Sequence, residues 1–348
     1  MSHPSPTASK PVNVAVVGLG FMGVTHLRAY LDNPAARIVA VCDVSRAPVN
    51  GVLPGVAGNI KKSDDILLGA HVKAYKNLGE MLRDPEVEAV DLCTPTPLHP
   101  EQVVASLKSG KHVLCEKPLA RTAALARSIL SEAESAPGFL MPAMCMRFWP
   151  GWAWLKQVVD EKTYGTVLAA RFRRVSEMPA WGRNGSYTKG NDAGGALYDL
   201  HIHDADFVNF LFGRPTSVFA SGVVNGSGSI NHVTANYHFP GGPVVHAEGS
   251  WLLTRGFSMA FTLLCERATL DFDLARGAEA LQIIEAGQPP RTVKGEGGDG
   301  YSAEVRYFVD CIANRRRPKI VTARDGLTAL EICEAEEESI RTGQPVKL

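Results

Sequence analysis

The sequence predicts an α/β protein of two domains, the first built on a parallel sheet covered by helices and the second on an open, mainly antiparallel sheet. The chain has 348 residues, more than one hydrophobic core usually holds. In its first third, short apolar runs alternate with helix-like stretches, which is typical of a parallel sheet buried on both faces. Further along, strand-like runs follow one another with Gly- or Pro-bearing turns, which indicates antiparallel pairing.

We expect the first domain to span residues 11–135 and the second residues 136–348, with the terminal helices packing back on the first domain. Residues 1–10 are rich in Ser, Pro and Thr and predict a disordered tail. Residues 50–69 interrupt the alternation with Gly, Pro and Asp, so we expect an insertion or a long loop there.

The elements of the first domain follow from its apolar pattern. Four runs predict strands, at Val12–Val17, Arg37–Cys42, Glu88–Cys93 and His112–Cys115. The stretches between and after them predict helices at Phe21–Asp32, Glu101–Ser109 and Thr122–Glu134.

The second domain begins with a predicted helix at Trp152–Glu161, and a second helix is expected at Asp199–Phe212. Near the end of the chain, apolar residues from Val305 to Ile312 repeat with helical spacing, and Thr322-Ala323-Arg324-Asp325 has the pattern of a capping box. Predicted strands lie at Val167–Val175, Val218–Val224, Val233–Phe239, Val244–Leu253 and Phe257–Leu264.

Composition excludes several classes of protein. Lys plus Arg and Asp plus Glu are each 36, so the neutral chain lacks the charge that nucleic acids or anionic membranes attract. No apolar stretch is long enough to span a bilayer. The seven cysteines are scattered without metal-ligand spacing, so we expect no metal and a cytoplasmic protein.

A glycine motif ends the first predicted strand and opens the first helix. Gly18-Leu19-Gly20-Phe21-Met22-Gly23 is a G-x-G-x-x-G sequence, in the context that marks a dinucleotide-binding Rossmann domain. The first two glycines permit a tight turn and close approach of the pyrophosphate, and the third lets helix and strand pack closely. Free N–H groups at the helix N-terminus, around Phe21 and Met22, would face the phosphates.

Asp43 indicates which dinucleotide is bound. It lies 20 residues after Gly23, at the end of the second strand. A carboxylate there accepts hydrogen bonds from the ribose hydroxyls and repels a 2′-phosphate, so we predict NAD rather than NADP. Arg46 lies close by and is a candidate cofactor contact that weakens this discrimination, because an arginine can accept a phosphate.

Polar residues also follow the later strands of the first domain. Thr94, Pro95 and His99 come after the strand at Glu88–Cys93, and Glu116-Lys117-Pro118 comes after the strand at His112–Cys115. Ligands of open α/β sheets bind at the carboxyl ends of strands, so we expect these residues at the cofactor site. His99 has an equally good alternative role as a loop cap.

In the second domain, Gly194-Gly195 precedes a helix with Asp199 and His203. Because these two are four positions apart, we expect them on one helix face, with His201 on the other. Asp204 and Asp206 with the two histidines could mimic a metal cluster, but we expect none, since no other ligand spacing accompanies them.

Taken together, the Glu-Lys-Pro element, Gly-Gly followed by Asp-x-x-x-His, and the stretch from Asp325-Gly326-Leu327 to Ser339 resemble the glucose–fructose oxidoreductase/inositol dehydrogenase/rhizopine-catabolism (Gfo/Idh/MocA) family. The resemblance covers nearly the whole chain. It implies that Lys117 contacts the reacting hydroxyl and the nicotinamide, that Asp199 holds the substrate or orients the histidine, and that His203 is the general acid/base. It also implies a Lys-Pro bond that is often cis, and an open sheet face that often forms dimers or tetramers.

The chemistry of the residues agrees with these roles. Oxidising an alcohol requires a base with a pKa near the working pH, which suits His203, and a cation such as Lys117 stabilises the developing alkoxide. We expect Asp199 to favour the charged form of His203, so that it titrates near neutrality. An open sheet face between Val218 and Leu264 would expose a large apolar patch unless it is covered, so we expect a homodimer or homotetramer.

The substrate is expected to be a sugar, polyol or glycoside, the class that the family mostly handles. Candidate contacts are Arg147 and Trp149 near the domain boundary and Trp181, Arg183 and Tyr187 in the segment before Gly194-Gly195. One alternative is an enzyme that oxidises a sugar transiently, eliminates a glycosidic group and re-reduces the product. Another is a non-catalytic, NAD-binding regulator.

Overall fold

The computed structural model describes residues 10–56, 64–179, 194–293 and 298–348. Within these residues the chain forms a six-stranded sheet in its first part and a nine-stranded sheet in its second part. The first is parallel throughout and the second mainly antiparallel, which confirms the predicted fold class.

The first sheet is built as a Rossmann domain, with strand order β5-β2-β1-β6-β7-β8. Its strands are β1 (Val12–Val17), β2 (Ala36–Cys42), β5 (Lys73–Tyr75), β6 (Ala89–Leu92), β7 (His112–Glu116) and β8 (Leu140–Ala143), and between β2 and β5 lies a small pair, β3 (Val52–Leu53) and β4 (Ile66–Leu67). Its helices are α1 (Phe21–Leu31), α2 (Leu78–Leu82), α3 (His99–Lys108) and α4 (Ala123–Ser135). Every residue of β1 is buried, because the sheet is covered on both faces.

The first sheet continues beyond residue 135, the predicted end of the first domain. Strand β8 pairs in parallel with β7, from Val113 opposite Leu140 to Glu116 opposite Ala143. The expected insertion at residues 50–69 contains the β3–β4 pair, and residues 57–63 within it lie outside the described residues.

The second sheet has the order β16-β15-β14-β13-β9-β12-β11-β10-β17. The long strand β13 begins at Leu252. It therefore takes in the end of the predicted strand Val244–Leu253 and all of the predicted strand Phe257–Leu264, with a register shift between Leu252 and Phe257. The strands are β9 (Val167–Glu177), β10 (Ser217–Val224), β11 (Ile230–His238), β12 (Val244–Ser250), β13 (Leu252–Cys265), β14 (Ala268–Asp273), β15 (Leu281–Glu285), β16 (Arg291–Thr292) and β17 (Val346–Lys347).

One face of the second sheet is packed, and the other is open. The helices of this part are α5 (Trp152–Asp160), α6 (Ile202–Phe212), α7 (Gly300–Ala313) and α8 (Ala323–Thr342). Trp152 of α5 packs against Phe172 of β9 and Phe261 of β13 on the covered face. On the open face, a row of aligned residues crosses the sheet through Phe219, Asn236, His246, Arg171, Thr262 and Asp271. The middle of this face is therefore polar, with exposed apolar side chains such as Phe219 and Leu264 beside it.

The two terminal helices pack against the first domain. Glu334 of α8 accepts a hydrogen bond from the backbone N–H of Ala123, at the start of α4, at 2.7 Å. Phe308 of α7 makes an edge contact with Phe139, next to β8, with 5.7 Å between ring centroids. The predicted capping box is present, since the Asp325 carboxylate accepts from the backbone N–H of Thr322. No helix within the described ranges is long and apolar enough to cross a bilayer.

Candidate active site

The turn between β1 and α1 is shaped by three glycines. Gly18 has a φ of +86°, and a Cβ atom there would lie 2.4 Å from the carbonyl oxygen of Cys93. A Cβ atom on Gly23 would lie 1.8 Å from the carbonyl oxygen of Gly18, so strand and helix approach closely only because both side chains are absent. At Gly20 a Cβ atom would meet nothing within 4 Å in the described part of the chain. This open turn at a helix N-terminus fits a dinucleotide pyrophosphate.

Asp43 follows β2 and reaches back to the glycine turn. Its carboxylate accepts hydrogen bonds from the backbone N–H groups of Leu19 (2.8 Å), Ser45 (2.8 Å) and Arg46 (2.9 Å). Burial raises the pKa of Asp43, but these donors outweigh burial and hold the pKa below its ordinary value. The guanidinium of Arg46 donates to the carbonyl oxygens of Leu19 and Pro54, so it lies beside the same turn. An acidic and a basic group both border the expected ribose position.

Lys117 follows Glu116 at the carboxyl end of β7, and its peptide bond to Pro118 is cis, as the family resemblance implies. Its Nζ lies 3.0 Å from Oδ1 of Asp199 and also donates to the backbone oxygen of Asp199. Burial lowers the pKa of Lys117, but the charges of Asp199 and Glu116 outweigh burial and raise it. The side chain is therefore a partly buried ammonium ion that joins the first domain to the second.

His203 lies in the first turn of α6, and its Nδ1 has no hydrogen-bond partner among the described residues. Burial lowers the pKa of His203 well below its ordinary value, and the charges of Lys117 and Arg174 lower it further. The expectation that Asp199 favours a charged His203 is therefore wrong, because Asp199 is paired with Lys117 and cations face the imidazole. The ring is neutral and able to accept a proton.

Asp199 lies in a π-helical turn, Leu197–His201, that leads into α6. A π turn holds more residues than an α turn, so this segment departs from the α-helical period that we expected. The shared face of Asp199 and His203 stays a prediction. Short π segments are frequent at functional sites, and here the turn places Asp199 against Lys117.

Comparison with known proteins agrees with this geometry. Residues 12–144 match the GFO/IDH/MocA oxidoreductase family with an NAD-binding Rossmann fold, and residues 152–271 match the GFO/IDH/MocA C-terminal domain. The two matches follow one another along the chain, and they cover the first sheet and the strands of the second sheet from β9 into β14. The chain belongs to the GFO/IDH/MocA family. It is an oxidoreductase with an NAD-binding Rossmann domain, as the sequence predicted.

Relatives within the GFO/IDH/MocA family are dehydrogenases. The trans-1,2-dihydrobenzene-1,2-diol dehydrogenase of Mus musculus is 35% identical over 175 residues, which are 49% of this chain and only 51% of that protein. The myo-inositol 2-dehydrogenase of Thermotoga maritima is 26% identical over 97% of this chain and 98% of its own length. A solved structure of levoglucosan dehydrogenase with NADH and levoglucosan has a TM-score of 0.82 at 22% identity, covering 97% of this chain and 99% of that one, which shows a shared fold.

His201, the other histidine of this GFO/IDH/MocA helix, is fully buried away from Lys117. Its Nε2 lies 3.2 Å from the hydroxyl of Tyr237 and 3.3 Å from Oε2 of Glu336 on α8. Burial lowers the pKa of His201, but the charge of Glu336 outweighs burial and raises it. These contacts agree with the structural role that the sequence suggested for His201.

The loop after β6 in this family member is braced against the Lys117 loop. His99 is 1% exposed, and its ring nitrogens lie 2.9 Å from the carbonyl oxygen of Pro118 and 2.8 Å from that of Thr94. These contacts favour the alternative role of His99 as a loop cap, and its contact with the cofactor stays a prediction. Thr94 borders Gly18, with its Cγ2 3.1 Å from the position of a Cβ atom there, and Pro95 is exposed beside it, so both stay predicted cofactor contacts.

Glu116 also faces inward. It is 7% exposed, its Oε2 accepts a hydrogen bond from the backbone N–H of Lys117 at 3.0 Å, and its Oε1 lies 3.4 Å from Nε2 of His26. Glu116 therefore supports the Lys117 loop from within, and its contact with the cofactor stays a prediction.

Arg147 forms a buried ion pair near the domain boundary. It is 4% exposed, and its guanidinium donates to both carboxylate oxygens of Asp206, at 2.8 and 2.6 Å, and lies 3.1 Å from Asp325. These contacts favour a structural role for Arg147, and its contact with the substrate stays a prediction. Trp149 is partly buried, with its ring centroid 5.6 Å from that of Tyr301. Asp204 pairs with Arg174, so both acidic residues of the imagined metal cluster are held by arginines.

Three predicted substrate contacts, Trp181, Arg183 and Tyr187, lie outside the described residues. Sequence reasoning missed four polar side chains close to the site, which share positions inside apolar runs or faces: His26, Asp91, Tyr301 and Glu304. Asp91 lies within the buried strand Ala89–Leu92, and this position is a sequence signal for the group, because a buried carboxylate needs a partner.

Proposed function

We propose that this protein is an NAD-dependent dehydrogenase that acts on a CH–OH group of a sugar, polyol or glycoside. One arrangement supports the proposal: the ion pair of Lys117 and Asp199 lies beside the neutral imidazole of His203, at the carboxyl end of the parallel sheet. Open α/β sheets bind ligands at this edge. The named activities of the relatives, on an inositol and on levoglucosan, support a hydroxylated substrate.

Each residue of this group has a distinct role in the proposed reaction. NAD, when bound, supplies the hydride acceptor. The Lys117 ammonium lowers the energy of the alkoxide that develops as the substrate hydroxyl loses its proton. His203 takes that proton on its imidazole, for which its neutral state is required. Asp199 holds the Lys117 ammonium in place through the 3.0 Å contact.

We propose NAD rather than NADP as the cofactor. The carboxyl group of Asp43 is ionised, because backbone donors hold its pKa below the ordinary value. A carboxylate at the end of β2 accepts from ribose hydroxyls and repels a 2′-phosphate. We expect Arg46, which donates to the carbonyl oxygens of Leu19 and Pro54, to stay at the glycine turn rather than bind a phosphate.

The test is a screen of sugars, polyols and glycosides with the purified protein and NAD, followed by absorbance at 340 nm and product analysis. We expect stoichiometric NADH with at least one polyhydroxylated substrate, and loss of that signal in Lys117→Met. Turnover of a glycoside without net NADH would instead indicate the elimination reaction. Tight NAD binding without turnover of any compound would indicate the regulator.

A further inference from the structure

A line of buried ionisable side chains runs from the interior of the first sheet to the Lys117 loop. His26, on α1, is fully buried, and its Nδ1 lies 2.8 Å from Oδ2 of Asp91 on β6. Its Nε2 lies 3.4 Å from Oε1 of Glu116. The other oxygen of Glu116 accepts the backbone N–H of Lys117 at 3.0 Å. Asp91, His26 and Glu116 therefore connect the core to the residue that we place at the reacting hydroxyl.

The charges along this line alternate. Burial lowers the pKa of His26, but Asp91 and Cys93 outweigh burial and raise it well above its ordinary value, so the ring is an imidazolium. Burial also raises the pKa of Glu304 on α7 well above its ordinary value, so this neighbour is neutral. The titratable groups that face His26 from the elements around it are Tyr30, Asp91, Cys93, Glu116, Tyr301 and Glu304.

A metal ion does not explain this cluster. The ligand atoms of His26, Asp91 and Cys93 lie within 4.8 Å of one another. However, these atoms already bond to one another, with Sγ of Cys93 3.5 Å from Nδ1 of His26 and 3.4 Å from Oδ1 of Asp91. Burial raises the pKa of Cys93 to a range where the thiol keeps its proton, and a metal ligand must lose it.

We propose that His26 is a positioning residue for Lys117 and acts through Glu116. The inference rests on the proposed function, in which the Lys117 ammonium faces the substrate. Glu116 lies between two cations, the imidazolium of His26 and the ammonium of Lys117. Held by His26 and by the Lys117 backbone N–H, the carboxylate stays away from the ammonium. The ammonium is then left to Asp199 and to the substrate oxygen.

Removing either partner has a different consequence for Lys117. In His26→Gln the Glu116 carboxylate loses its cation and turns to the Lys117 ammonium, which binds its proton more tightly and interacts less with substrate. In Glu116→Gln a negative charge that raises the pKa of Lys117 is lost, so that pKa falls. The groups that face Lys117 besides Glu116 are Asp199, Cys145 and His203.

The experiment measures the reactivity of Lys117 in the full-length protein without cofactor or substrate. The protein is labelled with trace acetic anhydride at a series of pH values, and acetylation of Lys117 is followed by mass spectrometry. We expect labelling at fixed pH to fall about threefold in His26→Gln and to rise about threefold in Glu116→Gln, since each half-unit pKa shift is a threefold change. The double variant, His26→Gln with Glu116→Gln, should show the same labelling as Glu116→Gln alone, because His26 acts on Lys117 only through the Glu116 carboxylate.

The control is His112→Gln. His112 is a partly buried histidine at the start of β7, the strand that ends at Glu116, and its replacement should leave the labelling of Lys117 unchanged. If His26→Gln does not fold, Asp91→Asn replaces it and should lower labelling in the same direction. The proposal would be overturned if His26→Gln left the labelling of Lys117 unchanged, or if it changed labelling equally in the unmodified protein and in Glu116→Gln.

Because labelling requires no turnover, this result is independent of the proposed dehydrogenase activity. With a substrate in hand, His26→Gln should slow hydride transfer about tenfold and leave NAD affinity within about twofold.

Discussion

His203 determines at which pH the proposed oxidation proceeds. Its pKa is lowered well below the ordinary value by burial and by the charges of Lys117 and Arg174, so the imidazole is neutral at pH 7. Oxidation should therefore keep its rate as the pH falls through the ordinary histidine pKa, about 6.5, and lose rate only below the lowered pKa. His203→Asn cannot accept the proton and should reduce kcat by about 10²–10⁴-fold. The pH profile of kcat in the unmodified protein and kcat of His203→Asn test these expectations. Calorimetry should show that His203→Asn binds NAD with unchanged affinity.

The matched control for His203 is its neighbour His201, which faces Tyr237 and Glu336 rather than Lys117. His201→Asn should lower kcat far less than His203→Asn at a temperature where both are folded. If the two substitutions reduce kcat equally, the proton acceptor has been assigned to the wrong residue.

Asp43 should set the choice of dinucleotide. The unmodified protein should bind NADH more tightly than NADPH, because the Asp43 carboxylate repels a 2′-phosphate. Asp43→Ala removes that charge and the acceptor for the ribose. The ratio of the dissociation constants for NADPH and NADH should therefore fall by about tenfold or more. Titration calorimetry with both dinucleotides measures the difference. Equal affinities in the unmodified protein would contradict the assignment.

At the scale of the element, the π turn before α6 is anchored by a buried charge pair. Because the pKa of His201 is raised in the folded protein, its contribution to stability is fully present below the unfolded pKa, about 6.5, and is lost as the pH rises through the folded pKa. His201→Asn leaves Glu336 buried without its cation and should cost about 3 kcal/mol or more at pH 6.

The measurement for this element is the free energy of unfolding by urea at pH 6 and pH 9. The loss caused by His201→Asn should be clearly larger at pH 6 than at pH 9. A loss that is independent of pH would show that packing, rather than the charge of His201, anchors the turn. Arg214→Gln, in an exposed ion pair with Glu331, serves as the control and should change stability by less than about 1 kcal/mol.

Most elements of both sheets were predictable, because strand and helix periods are local properties of the sequence. Strand β8 was missed because Pro142, which lacks a backbone N–H, interrupts its four residues, Leu140–Ala143. The π turn was missed because an α-helical period was assumed for Leu197–His201. Within the site, Lys117, Asp199 and His203 were identified by motif. The pairing of His26 with Asp91, 65 positions away, is a tertiary contact that no local pattern encodes.

At the scale of the whole molecule, the open face of the second sheet remains the expected assembly surface. Apolar side chains are exposed on it beside a polar centre that includes Arg171, for example Phe219 (41%) on β10 and Leu264 (46%) near the end of β13. We expect a homodimer or homotetramer at micromolar concentration, because sheet faces with exposed aromatic and aliphatic side chains favour association.

Light scattering at several concentrations measures the oligomeric state. The double variant Phe219→Asp and Leu264→Asp should shift the protein towards the monomer while the far-UV circular dichroism spectrum stays unchanged. Val49→Asp, which places the same charge on an exposed apolar residue of the first domain, is the control and should have no effect. A monomeric unmodified protein would rule out this assembly.

Helices α7 and α8, which lie between β16 and β17 in the chain, pack against α1, α4 and β8 of the first domain. Helix α8 also packs against the second domain, where Ser339 accepts the backbone N–H of Ala220 and Glu336 accepts the hydroxyl of Tyr237. A chimaera that exchanges everything after residue 144 with a relative would bring foreign helices onto the Rossmann domain. One that exchanges only residues 145–293 would keep that surface matched but would place a foreign β10 and β11 against α8. Recombination of substrate specificity in this scaffold therefore has to match α8 to partners in both domains.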